Sequence, residues 1–159
     1  MAIRNIRELG DDILRKKSRE VTEMTPKIRE LIHDMYDTLY EAMGVGLAAP
    51  QVGILKRIVV IDVEEGVPYT LINPKILETR DTQTGGEGCL SVPGKAGKVT
   101  RPAYVRVWAQ DENMQPYELE AEGLLARAVC HEVDHLEGIL YVDRVEGELY
   151  DAEMEDDED

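Results

Sequence analysis

The sequence predicts an α+β fold, with small mixed or antiparallel sheets packed around a helix near the carboxy end. Three observations lead there. Segments rich in β-branched residues cluster between residues 57 and 121, an amphipathic helix stands on each side of them, and no helix alternates with the strands as βαβ units would require. The chain of 159 residues has the size of one domain. At that length it can bury about two thirds of its unfolded surface without help from disulfides.

The first helix is predicted over residues 26–43. Thr25 can cap it, Pro26 suits its first position, and Gly44 follows its end. Ile28, Leu31, Ile32, Met35, Leu39 and Met43 form its apolar stripe. Residues 44–53 (GVGLAAPQVG) break all periodicity and read as a loop. Strands follow over residues 57–63 and 69–73, and a hairpin pairs 104–109 with 116–121 across a turn at 111–115. A second helix is predicted over residues 124–136, closed by Gly138.

Composition narrows the function. The net charge is −15, and nine of the 33 acidic residues fall within 146–159, a stretch with no Lys or Arg, so the body carries −6. A body of that sign repels phosphate backbones, so no direct nucleic-acid binding is expected. The division expected is one catalytic domain over residues 1–147 and an acidic tail without fixed structure over 148–159. Cys89 and Cys130 are the two cysteines and neither lies in a CxxC, which is no disulfide framework. The start of the chain lacks the apolar core of a signal peptide, and the longest aliphatic run, residues 58–61, is far too short to span a bilayer. A cytoplasmic protein away from membranes is expected.

The sharpest chemical signal is HEVDH at residues 131–135. Residues four apart share one side of a helix, so His131 and His135 can reach one metal ion. Glu132, one step round, can reach a water on that ion and act as general base. With three histidines in the chain, this pattern arises by chance in well under about 1% of such sequences. Catalytic sites usually have three protein ligands. No histidine follows His135, whereas Cys89, between Gly88 and a strand-like Leu90-Ser91-Val92, is a candidate third ligand. Taken alone, Cys89 would sooner be a small buried hydrophobe. His33 reads as structural or exposed, and Cys130 as a packed thiol.

Residues 44–51 (GVGLAAPQ), 87–91 (EGCLS) and 131–135 (HEVDH), in that order, closely resemble the peptide deformylases. The likeness extends from residues 12–15 through Asn73-Pro74 and residues 99–102 to Gly138, nearly the whole chain except the tail. It implies removal of the N-terminal formyl group from nascent polypeptides that start with formyl-methionine, releasing formate. Carried over residue by residue, it implies that Cys89, His131 and His135 bind one divalent metal ion, natively Fe²⁺, with Zn²⁺, Ni²⁺ or Co²⁺ acceptable in the isolated protein. Glu132 becomes the general base, and Gln51 and the Leu90 backbone N–H become donors to the oxyanion. Val45, Gly46 and Gly88 border the substrate backbone. Asp134 pairs with Arg101 behind the ligands. Apart from the resemblance, a methionine side chain needs an apolar pocket, for which Val45, Leu124 and Ala128, with the Arg127 stem, are candidates; each of Leu124 and Ala128 taken alone would sooner belong to the helix core. The expected protein is a monomer. Some members end in a basic ribosome-docking helix; this chain ends in EDDED, so only transient ribosome association is expected. Two other readings remain open at this point: a zincin-like peptidase resting on HEVDH alone, and a catalytically silent peptide-binding module.

Overall fold

A computed structural model describes residues 2–63 and 66–152. Two helices, α1 (Pro26–Glu41) and α2 (Gly123–Leu136), pack on a sheet of strands β1 (Gly46–Ala48), β2 (Ile58–Ile61), β3 (Tyr69–Cys89), β4 (Val92–Gln110), β5 (Pro116–Glu122) and β6 (Glu146–Asp151). The strand order is β1-β2-β3-β4-β5, with β6 added to β4, and every pairing is antiparallel. The α+β class stands. One six-stranded sheet replaces the several small sheets expected.

Helix α1 starts as its sequence dictates: the Thr25 hydroxyl accepts from the Ile28 N–H at 3.2 Å, with Pro26 in the first turn. It ends two residues before the predicted Met43, which instead adopts a φ of 56°. Gly44 packs closely, and a Cβ there would lie 2.7 Å from the Leu90 side chain, which would have to shift. Strand β2 shows how the core is shared. Ile58 and Val60 pack toward Leu31, Ile32, Met35 and Leu39 of α1, whereas Val59 and Ile61 pack toward Ala126 and Val129 of α2. The alternation is the period-two rule of a strand buried on both faces. Each fully buried aliphatic side chain contributes about 1.5–3 kcal/mol.

Strands β3 and β4 extend well beyond the segments expected at 69–73 and 104–109. They form one long hairpin whose register runs from Ile72↔Gln110 to Cys89↔Val92, with shifts at three places including Gly88/Cys89. Only Leu90 and Ser91 separate the two strands, so the EGCLS segment is the hairpin's closed end. Much of the arm is exposed, and cross-strand pairs tie it together: Thr84 to Thr100 at 2.8 Å, and the Arg80 guanidinium over the Tyr104 ring at 4.2 Å.

The acidic end needs a correction. Residues 148–151, expected to lack fixed structure, belong to β6, which pairs Lys95 with Asp151, Ala96 with Tyr150 and Lys98 with Glu146. Lys95 Nζ meets Asp151 at 2.6 Å, and the Thr100 hydroxyl donates to Glu146. A cationic, unpaired edge on β4 supplies ladder and charge together, which composition alone does not register. The rest of the acidic segment, 153–159, lies outside the described residues. Truncation after Ala152 is expected to leave kcat/KM for short formyl peptides unchanged. Truncation after Gly147 removes most of β6 and is expected to lower the thermal midpoint. Equal midpoints for the two truncations would show that β6 contributes nothing.

Candidate metal centre and active site

Helix α2 carries His131 and His135 one turn apart, and Gly138 closes it. The φ of Gly138 is 79°, and a Cβ there would come within 2.4 Å of the Arg15 carbonyl. The closed end of the β3–β4 hairpin brings Cys89 against these histidines. The donor atoms of Cys89, His131 and His135 all lie within 4.8 Å of one another. His131 Nε2 and His135 Nε2 are 3.2 Å apart, and Cys89 Sγ is 3.3 Å from His135 Nε2. Tetrahedral bonds of about 2.0–2.1 Å to nitrogen and about 2.3 Å to sulfur put N···N near roughly 3.3 Å and S···N near roughly 3.6 Å. The donor set fits a divalent ion in both spacing and chemistry.

Glu87, part of EGCLS but without a role assigned from sequence, organises the site from behind. Its Oε2 accepts from His131 Nδ1 and from Arg101 Nη2, each at 2.6 Å. With its proton on Nδ1, His131 presents the Nε2 lone pair to the cluster. Burial alone would raise the Glu87 pKa, but hydrogen bonds from His131 and Arg101 hold it far below the usual carboxylate range. Arg101 also donates to Asp134 at 2.7 Å, and Arg144 holds the same carboxylate at 2.6 Å. A signal for Glu87 did exist: in a strand it shares a face with Cys89, two residues on. Burial disfavours charge on both imidazoles. Glu132, Cys89 and Glu87 outweigh it at His131, whose pKa lies well above normal, while burial and the His131 charge push His135 well below. A cation bound here would have to displace that proton, since ligation needs the Nε2 lone pairs and the Cys89 thiolate free.

Glu132 is 4% exposed, and among the described residues its Oε1 has no hydrogen-bond partner. Its Oε2 rests against the Gly46 backbone, where an added Cβ would lie only 2.6 Å away. Gly46, expected as a substrate neighbour, therefore also makes room for this carboxylate. Burial pushes the Glu132 pKa up to about 7, against the pull of charged His131.

Gln51 is no exposed loop amide: it is 1% exposed. Its Oε1 accepts from the Ala48 N–H at 2.9 Å, and its Nε2 donates to Ser91 Oγ at 3.0 Å and Cys89 Sγ at 3.5 Å. Ser91 is a second residue given no role from sequence. A cavity of about 530 Å³ opens over these groups. Gly88, Leu90, Val45 and Leu124 border it, the last two substantially exposed, together with buried Ala128 and Arg127. His33 stands apart near Glu112, and both cysteines are free, the Cys130 thiol pushed up to about 11 by burial.

Fold and donor set together fit the class of metal-dependent hydrolases, with Cys89 from the hairpin end and the two histidines of HEVDH forming one possible metal site. The family description "Polypeptide deformylase" matches residues 3–149. The peptide deformylase of Lachnoclostridium phytofermentans is 62% identical, over 100% of this chain and 99% of that protein. That of Agathobacter rectalis is 65% identical, over 98% of each. Among solved structures, the peptide deformylase of Legionella pneumophila superposes with a TM-score of 0.88 at 42% identity, covering 91% of this chain and 86% of the other. The one from Synechococcus elongatus, in complex with actinonin, gives 0.86 at 50% identity, covering 89% and 78%. The chain belongs to the polypeptide deformylase family.

Proposed function

We propose that the residues around this cavity divide between them the hydrolysis of an N-terminal formyl amide. The chain is an enzyme that removes the formyl group from N-terminal formylmethionine, in keeping with its family. The support for the residue roles is convergence on one cavity of Cys89, His131, Glu132 and the Gln51 amide, with the His135 donor within 4.8 Å of those of Cys89 and His131 and no hydrogen-bond partner for Glu132 Oε1 among the described residues. A divalent ion held by Cys89, His131 and His135, natively Fe²⁺, supplies Lewis acidity and a water of lowered pKa.

The chain's own groups do the rest. Glu132 accepts a proton from the attacking water and delivers it to the departing amine. Gln51 Nε2 and the Leu90 N–H donate to the formyl oxygen as it gains charge. Gln51 gives up its long contact to Cys89 Sγ for this. The bonds to Ala48 and Ser91 keep its amide plane aimed, so the donor is preorganised. A neutral donor helps the oxyanion without suppressing the nucleophile. The substrate backbone lies along Val45, Gly46 and Gly88, with the methionine side chain among Leu124, Ala128 and the stem of Arg127.

The enzyme is read as a cytoplasmic monomer meeting formylated nascent chains, with at most transient ribosome contact. No described helix is long and apolar enough to cross a membrane. The test is to incubate anaerobically prepared protein with a formyl-Met peptide and its unformylated twin. Formate from the first alone is expected; internal cleavage would mark a peptidase, and binding without turnover a silent module. Air is expected to inactivate the Fe²⁺ form, oxidising the metal and the Cys89 thiolate, while the Ni²⁺ form keeps its activity. Equal air stability of the two forms, with Cys89 unmodified by mass, would remove the iron assignment.

A further inference from the structure

As a pocket candidate Arg127 has a passive part, its stem covering the methionine side chain. The guanidinium is engaged elsewhere. Arg127 is 8% exposed, and it donates from Nη1 to Glu87 Oε1 at 2.8 Å and from Nη2 to the Val99 carbonyl at 3.2 Å. A carboxylate offers about four lone-pair positions. On Glu87 all are taken: Oε1 by Arg127 Nη1 and Arg101 Nε (3.1 Å), Oε2 by Arg101 Nη2 and His131 Nδ1. With two donors on each oxygen, the carboxylate cannot turn without losing bonds.

Arg127 and His131 stand four residues apart on one side of α2, so Glu87 is clamped to the same helix at two successive turns. Arg101 already neutralises Glu87 and is itself anchored through Asp134 and Arg144. The second guanidinium is thus not needed for charge balance, and burying one has a desolvation cost that an apolar pocket wall would avoid. What it adds is the last fixed direction on Glu87 Oε1.

We propose that Arg127 is a positioning residue for His131, acting through Glu87, as well as a wall of the pocket; this rests on the reading of His131 as a metal ligand. Removing it lets the Glu87 carboxylate rotate and loosens the imidazole it aims. The test uses the metal-free protein and Co²⁺ alone, under argon, with the thiolate charge-transfer absorption reporting Cys89 and chelator competition giving Kd. Arg127→Met keeps a long apolar wall and removes both hydrogen bonds. Its Co²⁺ Kd is expected to rise about 10-fold, at the low end for partners lost behind a metal ligand. In the metal-loaded variant kcat should fall by a comparable factor, while KM for formyl-Met-Ala-Ser moves less than about twofold.

Arg127→Lys, able to give Glu87 one hydrogen bond, should recover much of the loss. Unchanged Kd and kcat with a raised KM would make Arg127 a pocket wall only and overturn the inference; so would equal losses for the Lys and Met variants. Should Arg127→Met fail to fold, Arg127→Leu, which also removes both hydrogen bonds, takes its place: a raised Kd at constant KM supports the role, and a wild-type Kd overturns it. A wild-type protein without the thiolate band removes the metal reading, and the positioning role falls with it.

Discussion

Glu132→Gln is expected to keep its metal and lose at least about 10² in kcat, the lower end of what a positioned acid–base group contributes. The substitution is nearly isosteric, so the buried space against Gly46 stays filled. What disappears is the ability to take a proton at the oxygen that has no hydrogen-bond partner among the described residues. The three donor atoms of the metal centre are untouched. The loss should therefore appear in kcat, with the metal content and the KM for a formyl-Met peptide near those of the wild type. Gly46→Ala offers an independent check, because its Cβ would displace the same carboxylate while leaving its chemistry intact. Near-normal turnover in a metal-replete Glu132→Gln protein would sink the assignment of the base.

The parts of this site readable from sequence are those that obey a local rule. Thr25 and Pro26 announce α1, and the i, i+4 spacing of His131 and His135 puts both imidazoles on one side of α2. The α+β class follows from strands grouped between two helices. The long β3–β4 arm escapes because its residues from Lys75 to Gly86 lie mostly on an exposed surface, so no buried alternation marks them. The pairing energy there resides in partners 12 or more residues apart, such as Thr84 with Thr100 and Arg80 with Tyr104. Strand β6 escapes for a related reason: its carboxylates read as solvated charge until the Lys95 edge that receives them is in place. Glu87 and Ser91 are legible only as spacing around Cys89. Their work depends on Arg101, Arg127 and Gln51, which three other elements bring in.

Glu87→Ala is expected to have the largest effect on stability of any single change in the site. It strips Arg101 of a bidentate partner; among the described residues Arg101 is left with Asp134, and Arg127 with the Val99 carbonyl. Both guanidiniums remain in the interior. Breaking a buried ion pair by removing one partner typically costs about 3–5 kcal/mol, because the other charge stays behind. For a domain near this size that is a fall of roughly 6–20 °C in the thermal midpoint. The same change frees His131 Nδ1, so metal affinity should drop by about 10- to 100-fold. Glu87→Gln separates the two effects. Its amide oxygen can still accept from an arginine, but its NH₂ meets donors where Oε2 stood, so the imidazole loses its anchor while part of the packing survives. Thermal unfolding of the metal-free proteins reads the first effect and chelator competition with Co²⁺ the second. A Glu87→Ala protein melting within about 2 °C of the wild type, a shift of less than roughly 1 kcal/mol, and binding Co²⁺ as tightly, would show that the carboxylate is a bystander and that the hairpin end and α2 hold the donors in place without it.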